Sequence, residues 1–376
     1  MEKISIINKR EVAQNKKIKQ AQRKARRYYE EKVFEKVRNA PKAKIRKIVE
    51  LDDISFAEYR TSNNKADKIS APELSKEQLI ELCKKAELTG RSGNRFETYK
   101  KLENFQADNG LLIINAVECD PGLVHDAWIY KNGMDEVLEG IKILKNSLEI
   151  REVILATKEP LNQSLDIKQC KVADRFPMGY EKNLIKAITG KEIPKGKHPS
   201  ECGILVLNLQ TILAIAEIAV NQEMVKEKYI TIADVSEAAA KVTRVRLGDS
   251  IEDIAAKLFT DSQRSGKKLY AGSGAMTCHK VKADETITEE TCYIAIGNAP
   301  DYENAGKCKG CNACTKNCPA QVEVQKIVRL SEKKKLTSDD AKSFHVEACI
   351  GCGACTYGCM AGKNVREVIR CAKEKL

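Results

Sequence analysis

The chain has 376 residues, 42% of them hydrophobic, which is enough for two or three domains that each bury a core. Residues 1–50 contain 17 Lys and Arg against 6 Asp and Glu, a balance of +11 within a total formal charge of +12. Length and composition exclude a disordered or fibrous protein, and they place the basic character of the chain in one N-terminal arm.

No targeting or membrane segment is predicted. The charged N-terminus lacks the apolar core of a signal peptide, and the most apolar stretch, residues 203–220, is interrupted by polar residues such as Asn208 and Glu217. We therefore expect a cytoplasmic protein without a transmembrane segment, whose 15 cysteines stay reduced and able to bind metal.

Residues 1–60 form the first predicted region, a basic helical arm. Between residues 11 and 49 this arm has no glycine, a single proline (Pro41) and many good helix formers. Such an arm is suited to docking on an acidic partner protein, on RNA or on an anionic membrane surface, or it only packs on its own protein. Because few aromatic side chains lie between the basic ones, nucleic acid is the least favoured partner.

Three further regions are predicted after the arm. From residue 70 to residue 230, apolar strands at 110–116, 152–157 and 203–207 alternate with helices at 135–145 and 211–220, a pattern typical of an α/β domain with a partly parallel sheet. Residues 238–300 combine a basic strand, a helix at 250–258 and more strands, which indicates a small α+β module. Residues 305–376 form a cysteine-rich third region.

The cysteine-rich region contains two copies of the motif C-x-x-C-x-x-C-x-x-x-C, the spacing of bacterial [4Fe–4S] ferredoxins. Three closely spaced thiolates wrap one face of a cubane, and the fourth cysteine binds the neighbouring cluster. We therefore predict one cluster ligated by Cys308, Cys311, Cys314 and Cys359, and a second ligated by Cys349, Cys352, Cys355 and Cys318. Zinc is the alternative metal, but zinc usually takes two separated pairs of cysteines.

The remaining cysteines and the histidines are isolated in the sequence and show no ligand spacing. We expect these cysteines to be buried small side chains, and we assign no ligand or base role to the histidines. The cysteines are Cys83, Cys119, Cys170, Cys202, Cys278, Cys292 and Cys371, and the histidines are His125, His198, His279 and His345.

Several stretches of the chain resemble the RnfC family, the C subunit of the Rnf electron-transport complex, which is related to the NADH-binding flavoprotein subunit of respiratory complex I. Residues 115–121 (NAVECDP) resemble the family's NAVECEP, and residues 176–185 (FPMGYEKNLI) resemble its YPQGGEKQLI. Residues 190–211 resemble its G-x-x-V-P-x-G segment and the N-V-G-T that follows. Together with the two cysteine motifs, the resemblance covers about residues 88–363.

The resemblance implies a fold and a set of cofactors. The implied fold is an NADH/FMN-binding-type α/β domain, a small β-grasp (SLBB-like) domain and a C-terminal ferredoxin-like dicluster domain. Matched residue by residue, the resemblance also implies FMN or NADH contacts at Gly90, Gly93, Lys101, Asn115, Glu118, Asn208 and Thr211.

The chain departs from the family pattern in the glycine-rich loop at residues 90–101. Arg95 stands where the family has a glycine, so we expect its side chain to occupy the space where the backbone would meet the FMN phosphate. Glu97 replaces a proline, and its carboxylate would repel that phosphate. Trp128 replaces an arginine, and the basic arm stands in place of a β-rich N-terminal domain. Two alternatives therefore stay open, a chain that still binds FMN and a chain that has lost FMN. A site for NADH is less favoured than a site for FMN.

Three functional hypotheses follow, and none assigns a catalytic residue. The first is an iron–sulfur electron-transfer subunit of a cytoplasmic oxidoreductase complex, which relays single electrons through two clusters to or from a partner docked on the basic arm. The alternative is an NADH-oxidising reductase that feeds electrons from NADH through FMN to the clusters. The third is an RNA- or membrane-binding protein whose clusters are structural.

Overall fold

The structure is a computed structural model that describes residues 54–59, 72–93, 95–107, 110–118, 120, 122–158, 167–173, 176–194, 197–237, 239–297 and 306–376. The described residues divide into two compact units, a larger one before residue 298 and a smaller one after it. Most of the predicted basic arm lies outside the described residues. Its last part, residues 54–59, contains a short strand, β1 (Ser55–Phe56).

A parallel sheet organises the first part of the larger unit. Its strands are β2 (Leu111–Ala116), β3 (Glu152–Thr157), β4 (Lys168–Lys171) and β5 (Ile204–Asn208), in the order β4-β3-β2-β5. Leu112 and Ile114 of β2 enter one hydrophobic core, while Leu111 and Ile113 enter another, so both faces of the sheet are covered. The predicted parallel sheet is therefore confirmed, and β4 is an additional strand that the sequence did not indicate.

Six helices are described with this sheet: α1 (Lys76–Lys85), α2 (Thr98–Glu103), α3 (His125–Asn132), α4 (Met134–Ser147), α5 (Glu181–Thr189) and α6 (Leu209–Asn221). Helix α4 buries Val137, Ile141 and Leu144 at helical spacing. A Cβ atom at Gly140 of α4 would lie 2.5 Å from the backbone oxygen of Ile212 on α6. Gly140 therefore permits the close approach of these two helices.

A mixed sheet of six strands forms the second part of the larger unit. Besides β1 it contains β6 (Glu227–Asp234), β7 (Ala239–Arg246), β8 (Lys268–Gly272), β9 (His279–Lys280) and β10 (Tyr293–Gly297), in the order β1-β7-β6-β10-β8-β9. The helices α7 (Ile251–Leu258) and α8 (Asp261–Arg264) follow β7, and the apolar face of α7 packs into the core of this sheet. Apart from β1, the strands of this sheet start at Glu227, within the region predicted as α/β, because β6 pairs with β7 and β10.

The smaller unit is helical. Its elements are α9 (Ala313–Lys316), α10 (Val324–Glu332), α11 (Ser338–Ser343), α12 (Ala354–Tyr357) and α13 (Val365–Lys373). Apolar residues of α10 and α13 share one hydrophobic core with the motif cysteines at its border. Across the described parts of both units, no helix is long and apolar enough to cross a membrane.

Replacing Gly140 with alanine is expected to destabilise the larger unit by about 1–3 kcal/mol, because the added methyl group must push α6 away. The chain has 1 tryptophan, Trp128 on α3, so tryptophan fluorescence in urea reports unfolding of the larger unit. Asn146→Ala, at an exposed position of α4, is the matched control. Equal urea midpoints for wild type and Gly140→Ala would contradict the close helix approach.

Candidate functional site

The two cysteine motifs fold into two halves with equivalent backbones, offset by 41 residues from Cys308 to Cys349. Gly310 and Gly351 correspond at this offset, and both adopt left-handed φ angles, of 72° and 68°. The Nε2 of Gln325 donates to the Gly310 oxygen, and the Nε of Arg366 donates to the Gly351 oxygen, each at 2.8 Å. Each half is therefore built as the same unit of loop and helices.

Cysteines from both halves come together at each of two places. A cavity is lined by Cys349, Cys352 and Cys355 of the second motif together with Cys318 of the first. At the other place, burial raises the pKa of the Cys314 thiol to about 11, and the nearby Cys311, Cys359 and Cys308 raise it as well. Each predicted set of four is thus gathered in one place, with three members from one motif and one from the other. Their role as ligands stays a prediction.

The crowded thiols suit a cationic metal core. Burial raises the pKa of Cys352 to about 11 and that of Cys355 to about 12, and neighbouring cysteines add to both shifts. A bound cation replaces the protons of such thiols and relieves the repulsion between the thiolates. The donor set therefore fits an iron–sulfur cluster.

Backbone N–H groups also reach two of the sulfurs. The Gly351 N–H donates to the Sγ of Cys349, and the Lys363 N–H donates to the Sγ of Cys359, each at 3.4 Å. Hydrogen bonds of this kind tune the potential of an iron–sulfur cluster. Cys311 is exposed and Cys314 is buried, whereas the other six motif cysteines are partly exposed.

The predicted flavin contacts meet at the carboxyl edge of the parallel sheet. Asn115 of β2 pairs in register with Asn208, the last residue of β5. The Oδ1 of Asn208 accepts from the Gln210 N–H at 2.9 Å and caps α6. In the first turn of α6, the Thr211 hydroxyl accepts from the Arg91 N–H of the glycine-rich loop at 3.0 Å. The sheet edge, the helix start and the loop are thereby joined.

The loop and its lysine lie beside this edge. Gly93 has a left-handed φ of 82°, and the Gly90 N–H donates to the oxygen of Phe96 across the loop. The ammonium of Lys101 on α2 donates to Oε1 of Glu181 and to the backbone oxygen of Val206, both at 3.1 Å. These two contacts hold the Lys101 ammonium beside the middle of β5.

The expectation that Arg95 fills the phosphate loop is wrong. Its side chain is 62% exposed, and its guanidinium pairs with Glu290 at 3.4 Å, while Glu97 pairs with Lys100. The hydroxyl of Thr98, at the start of α2, is buried and has no hydrogen-bond partner in the part of the chain that the structure describes. A ligand that supplies this missing partner fits the loop, so the residues present are compatible with FMN.

Glu118, one of the predicted cofactor contacts, forms a buried acidic pair with Asp126, and sequence reasoning missed this pairing. The Glu118 carboxylate accepts from the N–H groups of Asp126 and Ala127, at 2.9 and 3.2 Å. Burial raises the pKa of Glu118 to about 7, and burial together with the charge of Glu118 raises the pKa of Asp126. His125 lies 3.0 Å from the Thr231 hydroxyl, and burial lowers its pKa to about 3, so it is neutral near pH 7. His125 is therefore not isolated, because the turn from β2 into α3 brings it against Glu118.

The other cysteines only partly match their predicted burial. Cys83, Cys170 and Cys292 are buried. Cys202 and Cys278 are partly exposed, and Cys119 lies outside the described residues. The prediction is wrong for Cys371, which is exposed on α13.

Comparison with known proteins identifies two matching domains. Residues 83–217 match the family model of the Nuo51 FMN-binding domain, and residues 300–360 match that of the 4Fe-4S dicluster domain. The chain is 28% identical over 275 residues to the C subunit of the ion-translocating oxidoreductase complex of Haemophilus influenzae (strain PittEE), an alignment that covers 68% of this chain and 41% of the relative. It is 26% identical over 302 residues to the C subunit of the same complex from Buchnera aphidicola subsp. Acyrthosiphon pisum (strain APS), covering 66% of this chain and 64% of the relative.

The resemblance to the RnfC family is confirmed. The RnfC-like chain nevertheless spans less than two thirds of the length of these relatives. It also shares its fold with a chain of an NAD+-reducing [NiFe]-hydrogenase in the H2-reduced state, with a TM-score of 0.57 at 15% identity, covering 87% of this chain and 69% of that chain. The dicluster match confirms the prediction of two [4Fe–4S] clusters, and the match to an FMN-binding domain supports FMN as a further cofactor.

The stability of the larger unit is expected to fall as the pH rises from about 4.5 to about 7, the ordinary and the raised pKa of Glu118. In that range the folded chain keeps a proton that the unfolded chain has released. Glu118→Gln removes this titration and should flatten the pH dependence of urea unfolding followed by Trp128 fluorescence. The exposed Glu223→Gln is the control, and an unchanged profile in Glu118→Gln would contradict the assignment.

Proposed function

We propose that the chain is an iron–sulfur electron-transfer subunit of a cytoplasmic oxidoreductase complex, which relays single electrons to or from a partner protein. The observation that carries this proposal is the gathering of two sets of four cysteines, each drawn from both motifs. A [4Fe–4S] cluster supplies one-electron chemistry when it is bound. The residues of the chain hold the two clusters and set their access to solvent.

The ligands in this proposal are Cys308, Cys311, Cys314 and Cys359 for the first cluster, and Cys349, Cys352, Cys355 and Cys318 for the second. Adjacency of the two sets is supported by the effect of Cys314, a member of the first set, on the pKa of Cys355 in the second. A short separation between redox centres suits electron transfer from one to the other. The exposure of Cys311 supports contact with a partner at the first cluster.

The partners in this proposal are other subunits of a redox complex. The relatives from Haemophilus influenzae and Buchnera aphidicola are subunits of ion-translocating oxidoreductase complexes, which supports a similar arrangement for this chain. The basic residues 1–60 are proposed as the segment that docks on such a subunit, because residues 1–50 carry nearly all of the net charge.

A second candidate is an NADH-oxidising FMN and iron–sulfur reductase. It is favoured by the match to an FMN-binding domain, by the exposed position of the Arg95 side chain, and by the Thr98 hydroxyl, which is buried without a hydrogen-bond partner among the described residues. FMN, when bound, converts a two-electron donor into single-electron steps. The residues proposed to hold FMN or NADH are Gly90, Gly93, Lys101, Asn115, Glu118, Asn208 and Thr211, of which Lys101 supplies positive charge for a phosphate.

The crossed ligand sets predict different outcomes for two double variants of the full chain. The anaerobically purified wild type should hold about eight iron ions. Cys308→Ser/Cys359→Ser removes two ligands from one proposed cluster and should keep about four iron ions, whereas Cys349→Ser/Cys359→Ser damages both clusters and should keep fewer. Iron and acid-labile sulfide assays measure this, with Cys371→Ser as the control. If Cys349→Ser/Cys359→Ser kept more iron than Cys308→Ser/Cys359→Ser, each motif would bind its own cluster and the crossed ligand sets would be wrong.

The second candidate predicts that the full chain binds FMN. Lys101→Ala should weaken FMN binding by about tenfold or more, because a charge-assisted contact to the phosphate is lost. Quenching of flavin fluorescence measures the affinity, and Lys100→Ala, one residue away on the surface, is the control. A wild-type chain that binds no FMN would rule out the reductase and leave the relay unaffected. Reduction of the chain by NADH in the presence of FMN would favour the reductase.

A further inference from the structure

The glycine-rich loop is anchored to the mixed sheet by a buried ion pair. The side chain of Arg91 in this loop is 3% exposed, and its Nη1 lies 2.5 Å from Oε2 of Glu289, which precedes β10 by four residues. The Nη2 of Arg91 donates to the backbone oxygen of Val225, just before β6, at 2.8 Å. The guanidinium therefore leaves its own loop and lies among residues that lead into strands of the mixed sheet.

Glu289 is held through both its side chain and its backbone. Its Oε2 also accepts from the Thr89 hydroxyl at 3.1 Å, so one carboxylate oxygen contacts two neighbouring residues of the loop region. Its backbone oxygen accepts from the buried ammonium of Lys228 on β6 at 2.8 Å. The turn that carries Glu289 is thereby fixed to a strand of the mixed sheet, and the loop is fixed to that turn.

The backbone of the loop contacts both the start of α6 and the surroundings of the mixed sheet. The Arg91 N–H donates to the Thr211 hydroxyl at 3.0 Å. A Cβ atom at Gly93 would lie 2.7 Å from the Cβ of Ser273 and 3.2 Å from the backbone oxygen of Glu290. The loop therefore reaches the carboxyl edge of the parallel sheet in a position that residues adjoining the mixed sheet determine.

Loss of the Glu289 carboxylate would leave a buried charge without its counter-ion. The Nε of Arg91 is buried and already has no hydrogen-bond partner within the described ranges of the chain. An unpaired guanidinium is costly to bury, so Arg91 would move toward water and displace the loop. The adjacent Glu290 pairs with Arg95 at 3.4 Å, but both of these side chains are more than half exposed, so this pair contributes little.

We propose that Arg91 and Glu289 are positioning residues, which hold the glycine-rich loop in the conformation that binds the phosphate of FMN. This inference rests on the second candidate function, and it makes the mixed sheet a part of the flavin site. Because Glu289 and Val225 engage the guanidinium, Arg91 acts on a phosphate through the backbone of its loop. A loop that is held in place before the ligand arrives loses less conformational freedom on binding, which raises the affinity.

The first test measures FMN affinity of the full chain by quenching of flavin fluorescence under anaerobic conditions. Glu289→Ala should weaken FMN binding by about tenfold or more. Glu289→Gln keeps an oxygen that can accept from Thr89 and Arg91, so it should lose less affinity. The matched control Glu290→Ala removes the adjacent, exposed carboxylate and should stay within about twofold of the wild type.

The second test follows the position of the loop without any ligand, by hydrogen–deuterium exchange. The Gly90 and Arg91 N–H groups are hydrogen-bonded in the wild type. In Glu289→Ala, peptides that span these two residues should exchange faster, whereas peptides of the buried strand β2 should keep the wild-type rate. Trp128 fluorescence in urea shows whether the larger unit of each variant is folded.

Equal FMN affinities for the wild type and Glu289→Ala, or an equal loss in Glu290→Ala, would overturn the positioning role while the flavin site itself stands. Weaker FMN binding with unchanged exchange of the loop would overturn it too. A wild-type chain that binds no FMN would overturn both this inference and the reductase, whereas iron content tests the relay separately. If Glu289→Ala does not fold, Thr89→Val decides the question, because it removes one hydrogen bond to Glu289 and leaves no buried charge unpaired. About threefold weaker FMN binding in Thr89→Val supports the positioning role, and unchanged binding overturns it.

Discussion

The exchange of one cysteine between the two motifs is the constraint on which the smaller unit depends. Cys318 lines the cavity of the second motif, and Cys359 lies with the first. Neither half can then complete a four-cysteine set alone, and metal binding would join the halves. The apolar faces of α10 and α13 pack in one core behind the cysteines, so the packing of the helices and the crossing of the ligands support each other.

In the larger unit, the carboxyl edge of the parallel sheet is the constraint that brings the predicted ligand contacts together. The register that sets Asn115 beside Asn208 also brings the glycine-rich loop to the start of α6. Ligands of open parallel α/β sheets bind at this edge. Glu118 and His125 are buried close by with pKa values far from their ordinary range, as is common for groups at functional sites. This edge therefore combines a loop and a helix start at which a ligand can bind with buried groups whose pKa values are shifted.

The internal repeat keeps one backbone around the cysteines while the surface side chains differ between the two halves. Gly310 and Gly351 share a left-handed conformation because the loop must turn around its cysteines in both halves. Lys309 of the first half corresponds to Ile350 of the second, a change of surface side chain that leaves the turn around the cysteines unchanged. A unit with a repeated backbone can in this way offer two chemically different edges.

The sequence by itself determined the features that are local in the chain. Cysteine spacing and apolar periodicity lie within short segments, so the two motifs, the strands β2, β3 and β5 and the helices α4 and α6 could be predicted. Only the tertiary structure decided the place of Glu227–Asp234 in the second sheet, the outward position of the Arg95 side chain and the meeting of Glu118 with His125. Strand pairing, side-chain direction and burial arise when distant segments pack together, and burial then sets the pKa values.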